Sequence, residues 1–504
     1  MATNTPIQST SALDRWFHIS ERGSNLATEI RGGLVTFVTM AYIVVLNPLI
    51  IGTATDENNE LISGLAKFTK FVAQGSPENI VNQDNVNKTI VLVASATALL
   101  AGVMSILMGL VGRFPVALAA GLGLNSFLAF TIAPKMTWPE ALGLMIIGGL
   151  LMFVLVLTGF RLAVFRAVPE ALKYSIGAGI GLFIALIGLT DAGIVRNGVP
   201  LITFAVKGQL AGWPIFTFIF GLLLIIALVA LRVRGGILIG LLVTTVLAVA
   251  IQAMLMVDDP EKINKDTYWR LNVPSLPKVN DVVDFTNPLQ LWHINLTGGF
   301  QAVGALTAII FIFSLLLSDF FDSIGTVTGL AAEADLLEED GEIEHIREIL
   351  VVDSVAVMAG AAAGTSSNTA YIESASGVGD GARTGIASIV TGVMFLLALF
   401  LAPLTKIVPY EAATPALVVV GFLMFTQIRK IPMDDYALAI PCFLTIVLMP
   451  FTYSITNGVG AGLVSFVLIK VCQRKFNEIS VIMWIISLAF VLYFAINPIS
   501  QLIN

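Results

Sequence analysis

The sequence is poor in charge and in cysteine, and each shortage narrows the class of protein. Asp, Glu, Lys and Arg make up only 12% of its 504 residues, whereas 57% are hydrophobic. A soluble globular domain carries about 25% charged residues, so this composition excludes a soluble protein and indicates a membrane protein. The two cysteines, Cys442 and Cys472, indicate neither a disulfide framework nor a cysteine metal site.

Histidine is scarce too, and its positions limit the proton chemistry. His18, His293 and His345 all lie outside the apolar runs. A histidine relay through the membrane is therefore not expected, and carboxylates must carry any proton that moves with a solute. The polar first 31 residues lack the features of a cleaved secretory signal, so the first membrane segment is expected to stay attached.

Apolar runs of about 18 to 22 residues, the length that crosses a ~30 Å hydrocarbon core, recur from residue 32 to residue 497. They predict an all-α polytopic membrane protein with 14 transmembrane segments. The predicted segments are 32–51, 89–110, 116–133, 140–158, 169–190, 213–231, 235–255, 302–326, 349–363, 368–380, 385–404, 409–427, 436–454 and 457–473. A further apolar run at 480–497 is either another crossing or a helix at the membrane interface.

The second half repeats the order of the first. Asn125 matches Asn368 in this comparison, and Val168–Pro169 matches Val408–Pro409. Seven crossings per copy is an odd number, so the second copy enters from the opposite side and the repeat is inverted. Arg and Lys are concentrated in the connections that are inside when the N-terminus is cytoplasmic, which predicts a multi-pass protein of the plasma (inner) membrane in that orientation.

Two stretches of small and polar residues interrupt the apolar runs. They are Gly121–Asn125 and Gly364–Asn368, and each lies at the same place in its half. They predict that helices 3 and 10 are broken by short extended segments. Broken helices at corresponding positions point to a substrate site near the bilayer midplane, because freed backbone groups survive there only beside a cavity.

Three carboxylates fall within the predicted membrane segments. Asp319 and Asp322 have the i,i+3 spacing that places them on one helix face, and Glu373 follows the second break. No Lys or Arg lies near them in sequence, so each is expected to take up a proton or to accept hydrogen bonds from a ligand. Carboxylates and an Asn amide suit the N–H donors of a nucleobase, which would stack on Phe320, Phe321 or Tyr371.

Other interpretations of these residues stay open. The carboxylates would also fit interhelical hydrogen bonds, and Asn125 and Asn368 would also fit caps of broken helices. A remote alternative is an intramembrane hydrolase, because Gly377–Asp380 has the Gly-x-Gly-Asp pattern of intramembrane aspartic proteases.

Several motifs together closely resemble the AzgA-like adenine, guanine and hypoxanthine permeases of the nucleobase-ascorbate, or xanthine/uracil, transporter superfamily. They are Glu21–Ser24, Thr39–Tyr42, Asn47–Pro48, Gly121–Asn125, Asp319–Gly325, Gly364–Asn368, Tyr371–Ser374 and Met449–Ser454. The resemblance implies proton-coupled purine uptake by an elevator-like movement. It also implies that Asn125, Asp319 and Glu373 contact the purine, with Gly123 and Asp322 as supporting candidates. Thr369 and Ser374, beside the second break, complete the candidate set.

The same resemblance implies a division of the chain into core and gate domains. The expected parts are a cytoplasmic N-terminal segment 1–31, core 32–160, gate 161–257, external loop 258–301, core 302–405, gate 406–475 and a C-terminal apolar segment 476–504. A homodimer in membrane lipid is expected, with no nucleic-acid partner and no cofactor beyond the coupling H⁺, for which Na⁺ is the alternative.

The cargo stays open at this stage. Ser126–Phe127 and Ser367–Asn368 depart from the Ala-Tyr and Thr-Val pairs that are more usual in the family, which leaves the preferred purine undecided. The alternatives with the same fold are a carrier of uracil or xanthine and a carrier of an inorganic anion. An anion carrier would not need carboxylates that face its substrate.

Overall fold

The computed structural model describes residues 12–72, 79–158, 168–198, 202–206, 208–255, 267–269, 273–274, 288–336 and 343–503. Most of the predicted external loop 258–301 and the predicted domain boundary near 160 therefore lie outside the described residues. The helices are α1 (Ala12–Phe17), α2 (Leu26–Met40), α3 (Ile43–Ile51), α4 (Gln83–Leu107), α5 (Leu122–Phe127), α6 (Trp138–Leu157), α7 (Glu170–Asp191), α8 (Trp213–Ala230), α9 (Gly236–Leu255), α10 (Gly298–Val303), α11 (Ala305–Glu333), α12 (Ile346–Ala362), α13 (Ala375–Gly379), α14 (Gly385–Ala398), α15 (Tyr410–Phe425), α16 (Tyr436–Phe451), α17 (Ile455–Cys472) and α18 (Val481–Ile503).

The prediction of an all-α polytopic membrane protein is confirmed. Ten helical stretches of the described chain are long and apolar enough to cross a membrane, and α16 is a shorter apolar helix. The number of 14 crossings stays a prediction, since α12 is also short and two segments are broken. The C-terminal apolar run forms α18, in which Phe490 packs against Phe313 of α11 at 6.4 Å between ring centroids.

The predicted breaks in the third and tenth segments are confirmed. Strand β3 (Leu118–Ala120) precedes α5, and β6 (Asn368–Ala370) precedes a 3-10 turn (Ile372–Ser374) and α13. The two strands pair antiparallel, with Ala119 opposite Thr369. Antiparallel pairing is what two copies inserted in opposite directions produce. Two short hairpin ladders, β1 (Phe68–Lys70) with β2 (Ile80–Val81) and β4 (Val195–Asn197) with β5 (Ile202–Phe204), complete the strands of the described chain.

The strand pair corrects the register of the sequence repeat. Each strand is followed by a short helix, so Leu118 corresponds to Asn368 and the match of Asn125 with Asn368 is wrong. The glycines caused the shift, because Gly121 follows its strand whereas Gly364 precedes its own. Within the predicted segment 368–380, the extended part is β6, and the 3-10 turn and α13 fill most of the rest.

Hydrogen bonds across the two breaks satisfy the backbone groups that the interrupted helices release. Gly121 N donates to Ser367 O at 2.9 Å, and Tyr371 N donates to Ala117 O at 3.0 Å. Side chains add two more bonds, because the Tyr371 hydroxyl donates to Ala120 O at 2.7 Å and Ser374 Oγ accepts from Ala117 N at 3.1 Å. A broken helix at membrane depth is stable only with such partners.

Glycines bring the backbones of the two halves into direct contact. A Cβ atom added at Gly385 of α14 would lie 2.1 Å from the carbonyl oxygen of Gly109, in the π-helical turn Met108–Gly112 that follows α4. The same holds at Gly421 of α15, where a Cβ would lie 2.4 Å from the carbonyl oxygen of Gly181 in α7. Small residues permit this close approach of helices in membranes, where packing rather than hydrophobicity drives association.

We expect Gly385→Ala to lower the free energy of unfolding by about 1–3 kcal/mol, because the new methyl group forces α14 and the end of α4 apart. Thermal unfolding of the detergent-purified protein measures the change. Gly329→Ala is the matched control, since no atom lies within 4 Å of a Cβ at Gly329. Equal stability of the two variants would contradict the close contact.

Candidate functional site

Glu373 lies at the second break, in the 3-10 turn that follows β6. Its side chain is half-buried, and one carboxylate oxygen accepts a hydrogen bond from the hydroxyl of Tyr42. Tyr42 is fully buried and occupies the junction between α2 and α3. The hydroxyl of Thr39 contacts the backbone carbonyl of Glu373 at 3.4 Å. Segment 1 therefore fixes the position of Glu373 in segment 10.

Asp322 lies beside Glu373. Its side chain is exposed, although it is close enough to Glu373 and Asp353 for their charges to interact. Within the part of the chain that the structure describes, no ion pair joins Asp322 or Glu373 to a basic side chain. Asp322 and Glu373 therefore border an accessible region, called the open space below, as hydrogen-bond acceptors without a cation.

Asp319 faces the protein interior. Only 3% of its surface is exposed, and it accepts a hydrogen bond from Ser367 Oγ at 2.8 Å. It also lines a small, mostly apolar cavity between α5, α6, α11 and α12, together with residues such as Leu124, Met145 and Val357. Despite their i,i+3 spacing, the two aspartates have different environments: Asp319 anchors the break and Asp322 borders the open space.

A chain of hydroxyl groups connects α11, β6 and α12. Ser323 Oγ donates to Asp353 Oδ1 at 2.8 Å and lies 2.8 Å from Thr369 Oγ1. Ser367 immediately precedes β6 and Thr369 lies within it; the two are two residues apart, and both side chains point towards α11. The hydroxyl of Thr369, a candidate contact for the substrate, is hydrogen-bonded to Ser323 in this series of hydroxyl groups.

Asn125 belongs to a buried amide network at the first break. Its Nδ2 donates to Asn47 Oδ1 at 2.6 Å, and Asn47 Nδ2 donates to Thr97 Oγ1 at 2.8 Å and to Thr365 O at 3.2 Å. Asn368 is also fully buried, and neither end of its amide has a partner among the described residues. Asn125 is therefore anchored on one side only.

The remaining candidates are engaged in packing. A Cβ at Gly123 would lie 2.6 Å from Ile180 Cγ2, so Gly123 is the point where α5 meets α7. Ser374 and Tyr371 hold β3 through the bonds described above, and Phe320 is buried. The side chain of Phe321 lies outside the described part of the structure. The rings of Phe320 and Tyr371 are both buried and so are not exposed beside Asp322.

Tyr42 and Asn47 were missed by a search for charged groups at membrane depth. Both are uncharged, and the sequence marked them only as members of the Thr39–Tyr42 and Asn47–Pro48 motifs. The helix break at Ala41–Tyr42, which brings Tyr42 to Glu373, contains no glycine that would predict it. In the described ranges, no group of three His, Cys, Asp or Glu residues is arranged to hold a metal ion.

Comparison with known sequences gives a consistent picture. The sequence pattern of a permease family, the xanthine/uracil permeases, matches residues 68–461. A guanine/hypoxanthine permease of Bacillus subtilis, PbuG, is 36% identical over 96% of this chain and 99% of its own length. An adenine permease of Escherichia coli, AdeP, is 34% identical over 95% of both chains.

Comparison with solved structures shows the fold alone. The transmembrane domain of the cyanobacterial bicarbonate transporter BicA aligns with a TM-score of 0.56 at 12% identity, over 87% of this chain and 97% of that one. The murine anion transporter Slc26a9 aligns with a TM-score of 0.56 at 11% identity, over 94% of this chain and 74% of that one.

The opposite environments of the two aspartates predict a difference in chemical access. In a background with Cys442 and Cys472 replaced by Ala, we expect Asp322→Cys to react with a charged, water-soluble thiol reagent, because its side chain faces open space. Asp319→Cys is the matched control and should be protected by its burial. Labelling in native membranes measures both. Equal labelling of the two positions would show that the two side chains do not differ in their access to water.

Proposed function

The chain belongs to the xanthine/uracil permease family, and from this membership we propose that it imports purine nucleobases: guanine, hypoxanthine or adenine. It is therefore a membrane transporter and not an enzyme, so the hydrolase alternative is set aside. The observation that carries the purine assignment is the pair of uncompensated carboxylates, Asp322 and Glu373, at an open space beside the second broken helix. Full-length relatives named as guanine/hypoxanthine and adenine permeases support the same cargo.

The residues around the two breaks would share the work of binding. Glu373 accepts N–H donors of the base, with Asn125 assisting from the first break. Asp319, held by Ser367, binds the base when the site closes around it, and Asp322 lies at its entrance. Gly123, Thr369 and Ser374 shape the site through the backbone contacts and hydroxyl bonds that hold the two breaks together.

Coupling to protons follows from the same groups. A carboxylate that loses water without gaining a cation favours its protonated form, and protonation removes the charge that would otherwise have to cross the membrane. We therefore assign proton symport to Glu373, Asp319 or Asp322, with H⁺ rather than Na⁺ as the coupling ion. No cofactor beyond this ion is part of the proposal.

Movement would be of the elevator type. In this proposal the core (32–160 and 302–405) carries the bound base past the gate (161–257 and 406–475), in a homodimer of the plasma membrane. Asp380, in the core, accepts a hydrogen bond from Arg234, in the gate, at 2.6 Å. Arg31 of α2 binds the same carboxylate. Asp380 therefore forms ion pairs with both arginines.

The nearest alternative cargo is uracil or xanthine. These bases present similar N–H donors, so the carboxylates alone do not separate them from purines such as hypoxanthine. An inorganic anion is disfavoured, because Asp322 and Glu373 would repel it from the open space. Competition between bases therefore decides the cargo.

We expect uptake of radiolabelled hypoxanthine by cells that lack their own purine carriers. Uptake should be faster at acidic than at alkaline external pH, because protons load the carboxylates from outside. Unlabelled guanine and adenine should compete better than uracil or xanthine. Glu373→Ala and Asp319→Ala should abolish uptake while the protein still reaches the membrane, and the exposed Asp84→Ala should not. Uptake near the wild-type rate by either site variant would refute its role, and absence of any uptake by the inserted wild type would refute the purine assignment.

The contact between Arg234 and Asp380 tests the elevator movement. In the background without native cysteines, we expect a short bifunctional thiol reagent to cross-link Arg234→Cys to Asp380→Cys and to stop uptake, because the two domains can then no longer slide. A cleavable reagent should restore uptake on reduction. Each single cysteine variant is the control. Full uptake by the cross-linked carrier would show that these segments do not move apart during transport.

A further inference from the structure

The junction of α2 and α3 places two uncharged side chains against two residues of the proposed site. Tyr42 immediately precedes α3 and Asn47 lies within it, and both are completely buried. Tyr42 donates to a carboxylate oxygen of Glu373, and Asn47 accepts from Asn125. A single segment therefore contacts residues on both sides of the paired breaks, and the proposed transport cycle assigns it no role.

The surroundings of Asn47 fix the direction of its amide. The backbone oxygen of Thr365, 3.2 Å away, can only accept a hydrogen bond, so the atom that faces it must be the NH₂ group. The Thr97 hydroxyl donates to Val93 O at 2.7 Å, which leaves its oxygen free to accept from the same NH₂ group. The oxygen of the Asn47 amide consequently points the other way, towards Asn125.

This direction is passed on to Asn125. Only its NH₂ group can bind the amide oxygen of Asn47 at 2.6 Å, so the oxygen of Asn125 is turned away from the network. No donor reaches that oxygen among the described residues, although it is buried. A buried acceptor without a donor is unfavourable, and an N–H group of a ligand would remove that penalty.

We propose that Tyr42 and Asn47 are positioning residues for the recognition of N–H donors. Tyr42 holds one carboxylate oxygen of Glu373. Asn47 orients Asn125 so that the amide oxygen of Asn125 can accept a hydrogen bond from the solute. The site then presents acceptors from both breaks, which selects a neutral heterocycle with ring N–H or amino donors. The inference rests on the proposed function, because Asn125 and Glu373 must contact the solute.

A double-mutant cycle separates positioning from general support of the fold. If Asn47 acts only by orienting Asn125, replacing Asn47 causes no further loss of binding in a protein that already carries Asn125→Ala. Damage to the fold would instead add to the effect of Asn125→Ala, as changes at independent sites do. Tyr42 acts through Glu373, so the loss caused by Tyr42→Phe should persist in the Asn125→Ala background.

The experiment measures equilibrium binding of radiolabelled hypoxanthine to the purified full-length protein. We expect Asn47→Leu and Tyr42→Phe each to weaken binding roughly ten-fold, the effect of one lost hydrogen bond. The double variant Asn47→Leu/Asn125→Ala should bind like Asn125→Ala alone. Tyr436→Phe is the control for loss of a hydroxyl, because this tyrosine is 75% exposed. Thr97→Val, which frees Asn47 without replacing it, should weaken binding in the same direction if Asn47→Leu does not fold.

The outcomes separate the two proposals. If the folded wild type binds no purine, the proposed function fails and takes the inference with it. If the wild type binds but Asn47→Leu and Tyr42→Phe bind equally well, only the inference fails. Fully additive losses in the Asn47/Asn125 cycle, or wild-type affinity in Asn125→Ala, would also overturn it.

Discussion

Pairing of β3 with β6 is the constraint on which the rest of this structure depends. A backbone N–H or C=O without a partner costs several kcal/mol in the hydrocarbon region, so two interrupted helices can exist there only if each satisfies the other. Their strands do so through an antiparallel ladder in which Ala119 lies opposite Thr369. Side-chain hydrogen bonds of Tyr371 and Ser374 extend this ladder. Glu373 then falls immediately after the ladder, where the chain turns into α13.

Close helix contacts and buried hydroxyl bonds transmit that constraint to the surrounding helices. Gly109 and Gly385 allow α14 to touch the end of the α4 segment, so residues on either side of the breaks cannot drift apart. Ser323 links β6 to Asp353 of α12. Polar side chains can serve this purpose inside a membrane because water does not compete for their hydrogen bonds. These contacts tie the two breaks to α4, α11, α12 and α14.

The large features of the fold could be predicted because each depends on a pattern that extends over many residues. Apolar run lengths predicted the helices, and the two glycine-rich stretches predicted the breaks. It could not place the breaks to the residue, since a glycine marks a turn on either side of a strand and Gly121 and Gly364 lie on opposite sides of theirs. It also could not separate Asp319 from Asp322: the i,i+3 spacing gives a shared face, and only the packing of α11 against Ser367 decides which carboxylate is buried.

The charges around the open space matter for the proposed choice of solute. The solved structures that share this fold include a bicarbonate transporter and an anion transporter, at 12% and 11% identity. In this chain Asp322 and Glu373 border the open space with no basic partner in the described residues. Two neighbouring carboxylates would repel an anion. They accept hydrogen bonds from a neutral base, which adds no charge to the site. In the proposed mechanism, the same carboxylates are neutralised by a proton that travels with the base. Solute choice and proton coupling then have one origin in that proposal, the two carboxylates Asp322 and Glu373.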